Sequence, residues 1–243
     1  MGLKAKATGG AGGNYVAQPN IDPGSYPARV VSVVDLGVQA QRPYKGESKP
    51  PCQMIRVTYE LTDVFLVDAD GNDVEDKPRW IAEDFKLLAM DADLAVSTKR
   101  YKTIDPDNEH DGDWSELLTR GVMVNIVNNE GKDGKVYDNV AGTSVMRKKD
   151  LDKLDDLQNT PYFFDLTDPD PEVWAKMPQW LQDKVKENIN YEDSPLQAMV
   201  DKLPPREDKK PAEKKEAAAK PAKPAKPAKE EPEEDAADEE APW

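Results

Sequence analysis

Cations and aromatic rings recur together in short groups along the chain. Arg42, Tyr44, Lys45 and Lys49 share one polar stretch, Arg56 and then Trp80 with Lys86 follow, and Lys99-Arg100-Tyr101 forms a knot. Lys132, Lys135 and Tyr137 make a later group, and Arg147-Lys148 closes the series. Together these side chains suit one chemistry well. Lysine and arginine neutralise phosphates, and exposed rings stack on unpaired bases, each stack being worth about 1–3 kcal/mol. Any single group also reads as a solvated turn, and Trp80 or Tyr137 also reads as core. Only joint placement on one face makes a groove.

Other chemistries have few residues to work with. His110 is the only histidine and Cys52 the only cysteine. They provide no Cys/His zinc set, no intrachain disulfide, and no Ser/His/Asp arrangement unless His110 serves in it. No Gly-x-x-x-x-Gly-Lys-Ser/Thr phosphate loop occurs. The run from Asp68 to Asp73 lacks the sixth-position glycine and twelfth-position glutamate of a calcium loop, so it reads as a hairpin turn. Asp105 to Asp113 is dense in carboxylates and reads as a solvated loop or a weak divalent-ion site. No catalytic residue, cofactor or metal is expected, and the chain reads as a non-enzyme.

The elements that must position these groups are mainly strands. Ala28 to Val38 is β-branched, with Gly37 available for a bend or bulge. Ile55, Val57, Tyr59 and Leu61 alternate with Arg56, Thr58, Glu60 and Thr62, which predicts a second strand with one apolar face. Asp70-Gly71-Asn72-Asp73 reverses the chain into a third strand over Arg79–Leu88, with Ile81, Phe85 and Leu87 on one side and Trp80, Ala82 and Lys86 on the other. Helix is expected over Asp91–Tyr101 and again from Trp114 to Leu118, stopped by Gly121. A fourth strand over Val122–Val127 and a fifth over Lys135–Met146 flank a glycine-rich hairpin loop.

Three strands, a helical insertion and two strands match the order of the five-stranded OB-fold, a partly open Greek-key barrel. A flat meander or a two-sheet sandwich would read similarly. The fold class is therefore mainly β, with an OB-like barrel over 21–150 after a flexible arm over 1–20. In an OB barrel the first hairpin loop and the loop between strands four and five flank the binding face. That places Arg42, Tyr44, Lys45 and Lys49 at one side and Lys132, Lys135 and Tyr137 at the other, with Arg56, Trp80 and Lys86 between. Residues 151–203 read as a helical extension. Leu151, Leu154 and Leu157 suit a short helix, Pro161 to Phe164 an apolar strap over the core, and Asp170 a cap for a turn opened by Pro171. Pro178 can start a helix whose apolar residues are Trp180, Leu181, Val185 and Ile189, suited to docking on the barrel or on a second subunit.

The composition changes from Pro204. Lys-Pro-Ala repeats make an extended, solvated linker over 204–229, and 230–243 holds eight acids and no base before ending on Trp243. Such a tail serves either as a solubilising segment or as an anchor whose indole and carboxylate enter a basic-rimmed pocket. The terminal Ala241-Pro242-Trp243 favours the anchor.

Glu239-Glu240-Ala241-Pro242-Trp243 resembles the acidic-X-Pro-Phe ending of bacterial single-stranded DNA-binding proteins, with Trp in place of Phe. A five-strand body, a Pro-rich linker and this tip are similar in layout to the phage-type, OB-fold single-stranded DNA-binding family. The resemblance implies a body that grips single strands without sequence preference in DNA replication or recombination. It implies that Asp238, Glu239, Glu240, Pro242 and Trp243 recruit replication or recombination proteins and compete for the groove, and it allows a homodimer.

Charge speaks the other way. The formal net charge is −15, and the residues before Arg206 carry twelve more acids than bases. Phosphate binding would need a local patch that outweighs this mean field. An acidic protein-interaction module or DNA mimic, and a virion structural β-barrel protein, are therefore the rival readings. The N-terminus lacks the apolar run of a signal peptide, Lys6 stands where a myristoylation signal needs Ser or Thr, and no stretch approaches a membrane span, so a cytoplasmic protein is expected.

Overall fold

The computed structural model describes residues 16–204. Val30, Val31, Val33 and Val34 bring β-branched side chains that a pleated backbone accommodates better than a helix, and they lie in β1 (Gly24–Gln39). β1 pairs antiparallel with β2 (Cys52–Val67) and, over its first part, with β4 (Gly121–Glu130). β2 pairs with β3 (Asp73–Lys86), and β4 with β5 (Val136–Ser144). The order β3-β2-β1-β4-β5 is a curled antiparallel half-barrel rather than a flat meander.

The alternation in β2 decides which face is inside. Ile55, Val57, Tyr59 and Leu61 are buried against Val30, Val33, Ile81, Phe85, Val122, Val124 and Ile126. α1 (Val96–Ile104) lies between β3 and β4 in the chain and lends Tyr101 and Ile104 to this core. Trp114 packs against both Phe85 and Tyr101 with ring centroids 5.5 Å apart.

Several elements differ from the sequence expectation for identifiable reasons. α1 starts at Val96 rather than Asp91, because Ala92 and Ala95 close successive turns onto Ala89 and Ala92. The expected helix from Trp114 is a single 3₁₀ turn, Ser115–Leu117. Thr119 N–H donates to Val30 O at 2.8 Å and Val30 N–H to Arg120 O at 3.0 Å, which draws the chain into the sheet. Gly121 thus opens β4 instead of ending a helix. β3 starts at Asp73, before Arg79, and of Leu151, Leu154 and Leu157 only Leu151 lies in a helix, the single turn α2 (Lys148–Leu151).

β1 bulges between Val30 and Ser32 and between Asp35 and Gly37, and it pairs with β4 only as far as Arg29. Beyond that point β6 (Tyr162–Phe164) runs parallel to it, Ser32 opposite Tyr162 and Val34 opposite Phe164. α3 (Pro171–Lys176), α4 (Gln179–Lys186) and α5 (Pro195–Val200) follow. Asp170 caps α3 by accepting Glu172 N–H at 2.7 Å, with Pro171 in the first turn. Phe164, Trp174, Met177, Leu181, Val185 and Leu196 form a second core against Val34 and Leu36 of β1.

α4 is fixed to the sheet at its C-terminal end. Val38 N–H donates to Asn188 Oδ1 at 2.9 Å, Ile189 N–H to Val38 O at 3.0 Å, and Gln39 Nε2 to Lys184 O at 3.1 Å. Gly37 at φ +72° permits the close approach, since a Cβ there would lie 2.4 Å from Asn188 Cγ. Trp180 and Ile189, grouped with Leu181 and Val185 as docking residues, are 52% and 54% exposed. Of the four, only Leu181 and Val185 face the core.

Asp35 sits at the second bulge, where burial and then the nearby Asp165 carboxylate push its pKa up, against hydrogen bonds from Gly37 N–H and Gln53 that hold it down. A carboxyl raised in the folded state loses stability as pH rises, because the unfolded chain gives up its proton first. Asp35→Asn keeps an oxygen for both donors. It is expected to raise the melting temperature at neutral pH and to leave it unchanged below the ordinary carboxylate range. Thermal unfolding at the two pH values reads the difference.

Candidate nucleic-acid interface

The register of β2 and β3 assigns the outer face. Met54 stands opposite Lys86, Arg56 opposite Asp84, Thr58 opposite Ala82 and Glu60 opposite Trp80. Facing residues of an antiparallel pair share a side, and the intervening Ile55, Val57, Ile81 and Phe85 point inward. Arg56, Trp80 and Lys86 therefore lie together on the outer face, as the alternation predicts.

Trp80 is 46% exposed yet held in place. Its Nε1–H donates to Glu60 Oε2 at 3.0 Å. Glu60, only 1% exposed, also accepts Gln158 N–H and Asn159 Nδ2–H, each at 2.7 Å. The three donors let a carboxylate be buried on this face. The indole is a preset flat surface.

Arg56 is not free. Its Nη1–H donates to Asp84 Oδ1 at 2.7 Å, its side chain is 19% exposed, and its guanidinium lies 4.6 Å from the centroid of the Trp180 ring. Lys184 of α4 binds the same Asp84 carboxylate. Lys86 makes no ion pair among the described residues.

Leu87 N–H donates to Gln53 O at 2.9 Å, which sets the Lys86 end of the face beside the base of the loop over 40–51. That loop is a tight hairpin. Tyr44 and Glu47 exchange backbone hydrogen bonds of 2.9 and 3.1 Å around Lys45 at φ +52° and Gly46 at φ +83°. Tyr44 is 58% exposed, with Lys49 Nζ 4.4 Å and Lys45 Nζ 5.5 Å from its ring centroid, and Arg42 is exposed nearby in the chain.

The β4–β5 hairpin lies toward the opposite end. Asp138, next to Tyr137, accepts from Arg79, the neighbour of Trp80, at 3.2 Å. Tyr137 is 47% exposed and donates its hydroxyl to Asp133 at 2.7 Å, a bond that raises its pKa. Lys132 and Lys135 are exposed, Lys135 lying 3.8 Å from Asp133.

The remaining candidates do not join this surface. Arg100 is a half-buried strut: Nε and Nη2 bond Glu83 at 2.7 and 3.0 Å, and the two side chains are 11% and 13% exposed. Burial alone would lower its pKa, and the Glu83 hydrogen bond and charge outweigh it. Tyr101 is fully buried, accepts Gly112 N–H at 2.9 Å and donates to Asp105 at 3.3 Å, so its ring can meet no base. Lys99 is exposed on α1, and Arg147, paired with Asp150 at 2.5 Å, and Lys148 are exposed at α2. They stand on other elements than the β2–β3 face.

β3 and β5 approach without a hydrogen-bonded ladder between them, and α1 braces the seam through Thr103–Thr143 and Arg100–Glu83. A cleft of about 560 Å³ remains there, lined by Arg56, Ala82, Asp84, Val96, Arg100 and Val140 among others. Its arginines are already ion-paired. Among the described residues no group of three His, Cys, Asp or Glu side chains is placed to hold a metal, and no helix is long and apolar enough to cross a membrane.

Trp180 and Lys184 are the outer-face residues that sequence reading missed. Their i, i+4 spacing was the available signal, since it puts them on a different side of α4 from Leu181 and Val185. Compared with protein-family models and with curated proteins, the sequence matches none.

Proposed function

We propose that the protein binds single-stranded DNA without sequence preference, as a coating protein in phage replication or recombination. The observation that carries this reading is three half-exposed rings, Tyr44, Trp80 and Tyr137, set at the two loops and on the sheet between them. Tyr44 and Tyr137 have lysines beside them, and the hydroxyl of Tyr137 and the indole of Trp80 are fixed by hydrogen bonds. Rings of this kind beside cations suit unpaired bases and their phosphates, because every base has a face to stack. The strand order, with α1 between β3 and β4, supports an OB-type arrangement, in which the β2–β3 face and these two loops take oligonucleotides. Asp238, Glu239, Glu240, Pro242 and Trp243 lie outside the described residues, and the recruitment of replication partners is assigned to them from the tail's sequence.

Fluorescence anisotropy with labelled oligo-dT, the same-length oligo-rU and a matched duplex tests the reading. Binding to oligo-dT is expected to exceed duplex binding, and to weaken with salt at about −0.7 in log–log slope per phosphate neutralised. Equal affinity for duplex, or no binding at low salt, overturns it and favours a protein-only role. Tighter binding to oligo-rU moves the assignment from DNA to RNA.

A further inference from the structure

The β2–β3 face has an addition that a bare five-strand barrel would lack. α4 lies against the sheet, with Leu181 and Val185 in the second core and three hydrogen bonds to Val38 and Gln39 at its end. Its other side presents Trp180 over Arg56 and Lys184 over Asp84. We infer that α4 supplies a nucleotide subsite, with Trp180 as a base-stacking platform and Lys184 and Lys86 as its phosphate contacts. This rests on the single-strand reading and extends the binding face onto the helical extension.

Three observations argue for it. The guanidinium of Arg56 covers one face of the indole at 4.6 Å, while the side chain as a whole is 52% exposed, so the other face is open. An exposed tryptophan fixed in this way stacks on a base at little cost in side-chain freedom. The charge is locally favourable on an acidic protein: Asp84 is the one carboxylate shared by Arg56 and Lys184, and Lys86 lies two pairs further along the same ladder, on the same face. Arg56 and Lys184 thus leave one positive charge uncompensated, and Lys86 adds another. Arg56 acts as a positioning residue, holding the indole from below.

The test uses the full chain. Trp180→Ala is expected to weaken oligo-dT binding about fivefold or more, the lower end for loss of one stacked base, while Trp180→Phe stays within about threefold. Lys184→Gln should make the salt slope shallower by about 0.7. In the wild-type protein, a bromodeoxyuridine-substituted oligonucleotide should crosslink to the peptide containing Trp180 on irradiation, a readout that a structural role would not produce. No binding by the wild-type protein overturns both readings. Wild-type binding that Trp180→Ala leaves unchanged, or that Trp180→Phe loses equally, overturns this one alone, as does crosslinking that avoids α4.

Discussion

Arg100→Met is expected to destabilise the folded protein by about 2–3 kcal/mol and to leave oligonucleotide affinity unchanged wherever the variant is folded. Methionine keeps the aliphatic stem and removes the charge, so Glu83, 13% exposed beside Arg100, would keep Tyr59 as its remaining donor, at 3.1 Å. A largely covered carboxylate left with one neutral donor is costly. Glu83→Gln combined with Arg100→Met removes the orphaned charge while keeping an acceptor for Tyr59, and should recover most of the loss. Urea unfolding of the single and double variants measures both quantities. A loss under about 1 kcal/mol for Arg100→Met would mean that water already reaches Glu83. A large drop in affinity at full stability would return Arg100 to the binding surface.

The contrast between β2 and α1 explains what the sequence could reveal. In β2 the period of two is the geometry itself, so Arg56 and Ile55 could be assigned to opposite faces from their order alone. Lys99, Arg100 and Tyr101 read as one basic knot, yet a helix turns them about 100° apart. Lys99 therefore faces solvent, Arg100 the Glu83 carboxylate and Tyr101 the core. Glu60 shows a different limit. Alternation places it outward correctly, but its burial depends on donors from Gln158 and Asn159, almost a hundred residues away in the chain. Pro161 to Phe164 was readable as a strap because apolar rings in a polar stretch need cover, and the bulged second half of β1 leaves an edge for it to pair with. Trp180 reads in the sequence as one of four apolar docking residues, because hydrophobicity alone does not tell a core ring from a presented one.

That difference between presented and buried rings carries the strongest functional prediction. Replacing Tyr44, Trp80 and Tyr137 together by alanine is expected to weaken oligo-dT binding a hundredfold or more, at about fivefold or more for each stacked base lost. The slope of affinity against salt should stay the same, since no cation is removed. Trp80→Ala alone should have the largest single effect, because its indole is fixed by Glu60 before any base arrives and little freedom is lost on stacking. Glu60 would keep Gln158 and Asn159 as donors, so that variant should still fold. Lys45→Gln with Lys49→Gln is the complementary variant: it leaves the Tyr44 ring and should make the salt slope shallower while costing less affinity at high salt. Titrations of each variant at two or more salt concentrations separate stacking from charge. A triple variant that binds as the wild type does would show that these rings never touch the strand, and the single-strand assignment would go with them.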